Sequence, residues 1–223
     1  MKNQINNYSE TMQTIARLHI TTHDKKHKMA GLQSISTSVL DNPICQARRK
    51  EPGSICSKCY AENLCRYRKP LQDCLSRNFD LLNDHLFDER EALRVVFDTR
   101  YARIESFGDV ASVTHARNYI RIIRANPDSN FGIWSKNVAL WKRAFDLEGK
   151  PDNTTFVLSS VHINTPDPIP DGMQEYIDHI FTVWDKEHYV FAGTPSECAG
   201  IQCRTCLKCY KRGGQLEINE KLR

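Results

Sequence analysis

The sequence lacks any long apolar run. No stretch of its 223 residues approaches the length needed to cross a bilayer. Nothing resembles a secretory leader, because the start, Met1 to Tyr8, is polar. These absences predict a cytosolic protein with no membrane partner. The cysteine count lacks evenness: there are nine. An odd number in a reducing compartment makes a poor disulfide framework and points to metal or cluster ligation. A strong excess of one charge is missing too. The net charge of +4 does not by itself demand nucleic acid.

What is present fits one globular domain with a sizeable core, or one domain with a small appendage. Hydrophobic residues make up 40% and charged residues 26%. The cysteines fall in two regions. Cys45, Cys56 and Cys59 lie in a loop broken by Pro43, Pro52 and Gly53, just after the strand-like segment Gly31 to Ser38. Cys198, Cys203, Cys206 and Cys209 form a dense run near the other end. The expected division is residues 1–197 as the main body, with 198–223 as a cysteine-rich segment packed on it.

Both regions are basic. Residues 45–77 hold eight Lys/Arg (Arg48, Arg49, Lys50, Lys58, Arg66, Arg68, Lys69, Arg77) against Glu51, Glu62 and Asp73. After Cys198 come Arg204, Lys208, Lys211, Arg212, Lys221 and Arg223 against Glu217 and Glu220. Such surroundings stabilise thiolates and an anionic cluster or substrate, or they are a solvated lysine-rich surface. His19, His23 and His27 show no ligand spacing and read as surface histidines.

In chain order, Ala16 to Thr21 alternates like an edge strand. Tyr60 to Lys69 reads as a helix stopped by Pro70, and Leu71 to Leu93 as a long helix or helix pair. Arg94 to Thr99 and Tyr101 to Phe107 read as strands. Asp109 reads as the N-cap of a helix through Ala125. Strand Asn130 to Lys136, helix Val138 to Leu147 and strand Thr155 to Val161 follow. Then come helix Met173 to His179, strand Ile180 to Trp184 and the strand-like Tyr189 to Ala192. This alternation predicts an α/β fold with about six mostly parallel strands, as a partial (β/α) barrel or a doubly wound sheet. Ligands then gather at the carboxyl ends of the strands. Ser36, Ser38, Gly108 and Ser159 are the candidate cofactor-binding positions there.

Four thiolates at the terminal spacing bind zinc or an iron–sulfur cluster, and a single dense run is closer to ferredoxin-type loops. Three thiolates on a 4Fe–4S cluster leave one iron open for a substrate or cofactor. A strand feeding a three-cysteine loop at a barrel mouth is similar to the layout of radical S-adenosylmethionine enzymes. Their Cys-x3-Cys-x2-Cys is absent here, since the first gap is ten residues. The alternative is a zinc site completed by Cys65 or a histidine; Cys65 and Cys74 otherwise read as small core residues.

Asn42 to Cys45, Cys56 to Ala61, Arg77-Asn78, Arg103 with Gly108-Asp109, Trp134 to Lys136 and the terminal cysteine run together resemble the phage "gene product 88" family over roughly Gly31 to Gly214. The resemblance implies a cysteine-rich, cluster-bearing α/β protein made in a bacterial host, and supplies no substrate.

Three polar residues complete the candidate site. Asp109 would hold an ammonium group near the open iron, Lys136 a carboxylate or phosphate, and Arg103 an anion inside the barrel. The leading expectation is an iron–sulfur enzyme of the radical or redox type, with one or two 4Fe–4S clusters, S-adenosylmethionine and an electron donor. Its rivals are a non-catalytic zinc protein whose basic loops contact nucleic acid, and an electron-transfer or redox-sensing protein.

Overall fold

The computed structural model describes residues 18–191, 193–198, 200–214 and 216–222. Its centre is one seven-stranded sheet in strict chain order. The strands are β1 (Ile20–Thr22), β2 (Gln33–Ile35), β3 (Tyr101–Ile104), β4 (Asn130–Ser135), β5 (Thr154–Ser159), β6 (His179–Trp184) and β7 (Leu216–Lys221). β1 is antiparallel to β2, and β2 through β7 are parallel throughout. A doubly wound sheet reverses its order at a switch point. This one does not reverse.

Helices lie in the connections after β2, β3, β4 and β6, while β1–β2 and β5–β6 are joined by turns and loops. The helices are α1 (Pro43–Arg49), α2 (Tyr60–Tyr67), α3 (Lys69–Asp84), α4 (Glu89–Leu93), α5 (Val113–Arg124), α6 (Val138–Glu148) and the single turn α7 (Cys203–Cys206). Period-two alternation sorts the strand side chains between two faces. Ile35, Ala102, Ile104, Phe131, Ile133, Phe156 and Leu158 face the helices and pack with Tyr119, Ile120, Ile123, Trp141 and Phe145 in the main core. Tyr101, Arg103, Gly132 and Trp134 occupy the opposite, inner face. There Tyr210 packs edge-on to Tyr101 and Trp134 at ring separations of 5.5 and 5.9 Å. Gly132 permits that approach, because a Cβ on it would meet the Tyr210 ring at 2.9 Å.

Several expected elements differ. Arg94 to Thr99 is no strand. Val95 and Phe97 are buried, but their backbone is bonded by the Asn126 side chain, to Val95 O at 2.7 Å and from Phe97 N at 2.8 Å. Pro43 does not break a loop. Asn42 caps a helix and Pro43 opens it, a position where the missing N–H loses nothing. Pro70 likewise sits in the first turn of α3. Met173 to Ile177 forms turns rather than a helix, and Tyr189 to Phe191 forms no strand. The expected edge strand occupies Ile20–Thr22, and its first residues lie outside the described ones. β7 carries no strand signal in the sequence, because its Glu217, Asn219, Glu220 and Lys221 mask a strand whose Ile218 is buried. It joins the cysteine-rich tail to the main sheet. Among the described residues no helix is long and apolar enough to cross a membrane.

Candidate metal centre

The three-cysteine loop is laced to the carboxyl ends of the parallel strands. Asn42 Oδ1 accepts from Ile44 N at 3.0 Å and Cys45 N at 3.3 Å, while its Nδ2 donates to Asp109 O at 2.6 Å. Arg48 Nη2 donates to Lys136 O at 2.7 Å. Ile55 N donates to Val161 O at 2.8 Å. Ser54 Oγ accepts from Cys56 N at 3.1 Å, starting the 3₁₀ turn Ile55–Lys58 that carries Cys56. Cys45 and Cys59 pack into one small apolar cluster with Val39, Phe107 and the buried Cys65. Burial pushes the Cys45 thiol well above its ordinary range, and the carboxylates of Asp109 and Glu105 and the thiols of Cys56 and Cys59 add to the shift. Burial likewise raises Cys59, opposed first by the backbone N–H groups of Glu62 and Ala61 and then by the Lys136 ammonium. Cys65 is pushed up by burial to about 11.

The second group lies over the inner face. Cys203 and Cys209 pack with Met29, Leu32, Tyr101, Trp134 and Tyr210. Cys203 N donates to Lys28 O at 2.9 Å, and Cys198 N to Asn219 O of β7 at 2.7 Å. Lys28 Nζ reaches Cys198 Sγ at 2.9 Å. Burial raises the Cys209 thiol strongly; Cys198, Cys203 and Cys206 add to this, and Arg103 opposes it. Burial also raises Cys203, with Lys28 and Arg103 pulling it back. The four thiols therefore share one electrostatic neighbourhood.

All nine cysteines are free thiols. Among the described residues no three His, Cys, Asp or Glu side chains converge as ligands of one metal ion.

The polar candidates divide by role. Asp109 is not the N-cap; Ser112 is, its Oγ accepting from His115 N at 3.0 Å. The buried Asp109 carboxylate instead accepts from Val110 N (2.8 Å), Ser135 Oγ (2.6 Å) and Lys136 N (2.8 Å). It thereby fixes the end of β4. Lys136 Nζ donates to Ser159 Oγ at 2.9 Å, so Asp109, Lys136 and Ser159 come together. Arg103 stacks on Trp134, its guanidinium carbon 4.0 Å from the ring centre, and its Nε is buried without a hydrogen-bond partner. Ser36 joins a hydroxyl chain through Ser106 (2.8 Å) to Ser34 (3.1 Å) and His23 (2.9 Å) on the inner face. Ser38 lies apart, accepting from Leu40 N, Asp41 N and Gln72 Nε2. Gly108 has φ +88°, and a Cβ on it would meet Thr37 O at 2.7 Å and Glu105 Oε2 at 2.8 Å.

A family model described as Gene product 88 matches residues 17–221. The chain belongs to the Gene product 88 family. No curated protein matches it, and no solved structure does. The match spans both cysteine groups of this phage-type family member. Sequence reasoning missed Asn42, Ser54 and Lys28 as supports, and Glu105, whose buried carboxylate accepts from Thr37 N at 3.0 Å and from the Tyr119 hydroxyl at 2.8 Å. Of these, only the Asn-Pro pair at 42–43 carries a legible signal, that of an N-cap followed by an N1 proline.

Proposed function

We propose that this protein is an iron–sulfur protein of the radical or redox type. Cys45, Cys56 and Cys59 would hold one cluster, and Cys198, Cys203, Cys206 and Cys209 a second. The observation that carries the reading is one group of free thiols in the loop at the carboxyl ends of a parallel sheet and a second over that sheet's inner face. Arg103 lies within electrostatic reach of Cys203 and Cys209, and of Tyr60, the residue after Cys59.

Thiol sulfur is the right donor type for such groups, and loading would have to bring the side chains of each group together. Thiolates are the ligands of iron–sulfur clusters, and positive charge near them offsets the charge of a loaded site. Thiols raised by burial give up protons on loading, so loading strengthens as pH rises. A three-thiolate 4Fe–4S cluster leaves one iron open to nitrogen and oxygen donors, such as those of S-adenosylmethionine, whereas a four-thiolate cluster suits structure or electron relay. Strand order favours reading the sheet as a partial (β/α) barrel, and so does the Lys28 link between the two ends of the sheet. The free thiols also fit a reducing, cytoplasmic setting.

The chain's own residues then divide the remaining work. Asp109 fixes the Lys136 backbone. The Lys136 ammonium, steadied by Ser159, would hold a carboxylate or phosphate at the strand ends. Arg103, stacked on Trp134, would orient an anion on the inner face. Addition of S-adenosylmethionine to the reduced, iron-loaded protein should change its electron spin resonance spectrum. An unchanged spectrum from intact clusters would favour electron transfer without turnover.

A further inference from the structure

Helix α2 follows Cys59 directly and has two unlike faces. Ala61, Glu62 and Cys65 are buried. The opposite stripe, at spacings of three and four residues, is Tyr60, Asn63 and Tyr67. Tyr67 is 87% exposed and Tyr60 63%. An outward helix stripe is ordinarily charged, whereas this one is aromatic and amide. Tyr60 is held in place: its hydroxyl donates to Ser106 O at 3.3 Å and its ring meets Phe107 edge-on at 5.7 Å. Seven residues of helix separate the two tyrosines by roughly 10 Å along the axis.

Unpaired positive charge flanks the helix along the chain, with Lys58 just before it and Arg68 at its C-cap, and Lys50 follows Arg49, which pairs with Glu62 of the helix. Lys50, Lys58 and Arg68 are exposed, and their side chains make no ion pair among the described residues. Arg49 and Arg66 both serve the single buried carboxylate of Glu62, at 2.5 and 2.7 Å, which leaves a further net positive charge there. Aromatic rings on an exposed helix can stack on bases only where those bases are unpaired, while the cations suit a phosphate backbone.

We infer that α2 and its flanking cations form a docking surface for single-stranded nucleic acid beside the three-cysteine loop. Tyr67 and Tyr60 stack bases, and Lys50, Lys58 and Arg68 neutralise phosphates. This goes beyond the iron–sulfur reading and does not rest on it; iron counted on the same preparation keeps the two apart.

Fluorescence anisotropy with a labelled oligothymidylate, a duplex of equal length and unlabelled polyglutamate tests it. The single strand should bind at low salt. Log affinity should fall with log salt at a slope of about −2 to −3, which is −0.7 for each of three or four phosphates. Tyr67→Ala should weaken binding about fivefold or more without changing the slope, the loss expected for one stacked base. Lys58→Gln and Arg68→Gln should each flatten the slope by about 0.7. All three residues are exposed, so the variants should fold. No binding at low salt overturns the inference, as does tighter binding of the duplex. So does equal displacement by polyglutamate, which would mark a generic polyanion or acidic-protein surface, or a Tyr67→Ala variant indistinguishable from the parent.

Discussion

Lys28 and Glu220 lie 192 residues apart in the chain, and their side chains meet at 2.7 Å. Lys28 sits in the turn between β1 and β2, and Glu220 in β7, so the contact joins the two ends of the seven-strand order. The same ammonium reaches Cys198 at 2.9 Å, and the Lys28 carbonyl accepts from Cys203 N. One residue thus ties the sheet's ends to the terminal cysteine group.

Lys28→Met should loosen that group before it unfolds the sheet. The partners are about a quarter exposed, at 25% and 26%, so solvent screens the pair. The global loss should be about 1 kcal/mol or less. Limited proteolysis of the variant should cut within residues 198–214 faster than in the parent. Equal cutting rates would mean that the tie contributes nothing to order in the segment.

The two cysteine groups should also fail differently. Cys56→Ala should remove the three-thiol site's response to added cofactor and leave the rest of the fold and the second site's iron in place. Cys206→Ala should damage the C-terminal segment if the proposed ligation holds it, since its few apolar residues would then leave ligation to supply much of its folding energy. Proteolysis separates the cases: early cleavage after residue 198 is expected in the Cys206 variant alone. The reverse pattern would exchange the two assignments.

Much of this arrangement is legible in the sequence, for definite reasons. Alternation in Tyr101 to Ile104 and in Asn130 to Ser135 exposes the strand period, because one face packs on helices and the other on Tyr210. Strand-like composition misleads at Val95 and Phe97, where the Asn126 side chain bonds the backbone in place of a neighbouring strand. Asp109 reads as a cap because it precedes a helix, yet Ser112 lies nearer and the Asp109 carboxylate is drawn to Ser135 and the Lys136 N–H. Lys28 carries no local signal, because its partners are far along the chain.

Acid should weaken the fold partly through His23. Burial pulls its pKa down to about 4 from an ordinary 6.5; the positive charges of His27 and Arg103 add to the shift, and Asp24 opposes it. The unfolded chain therefore binds more protons than the folded one between about pH 4 and 6.5. Stability from this group is complete above that window and is lost as pH falls through it. Denaturant midpoints should drop less over the window in His23→Gln than in the parent. An identical drop in both would remove His23 from the acid response.

The central claim, that the thiols hold iron–sulfur clusters, is tested most directly by purifying the full chain without oxygen and counting iron, sulfide and zinc per chain. A brown protein carrying both iron and acid-labile sulfide, with little zinc, is expected. Stoichiometric zinc with no sulfide would contradict it.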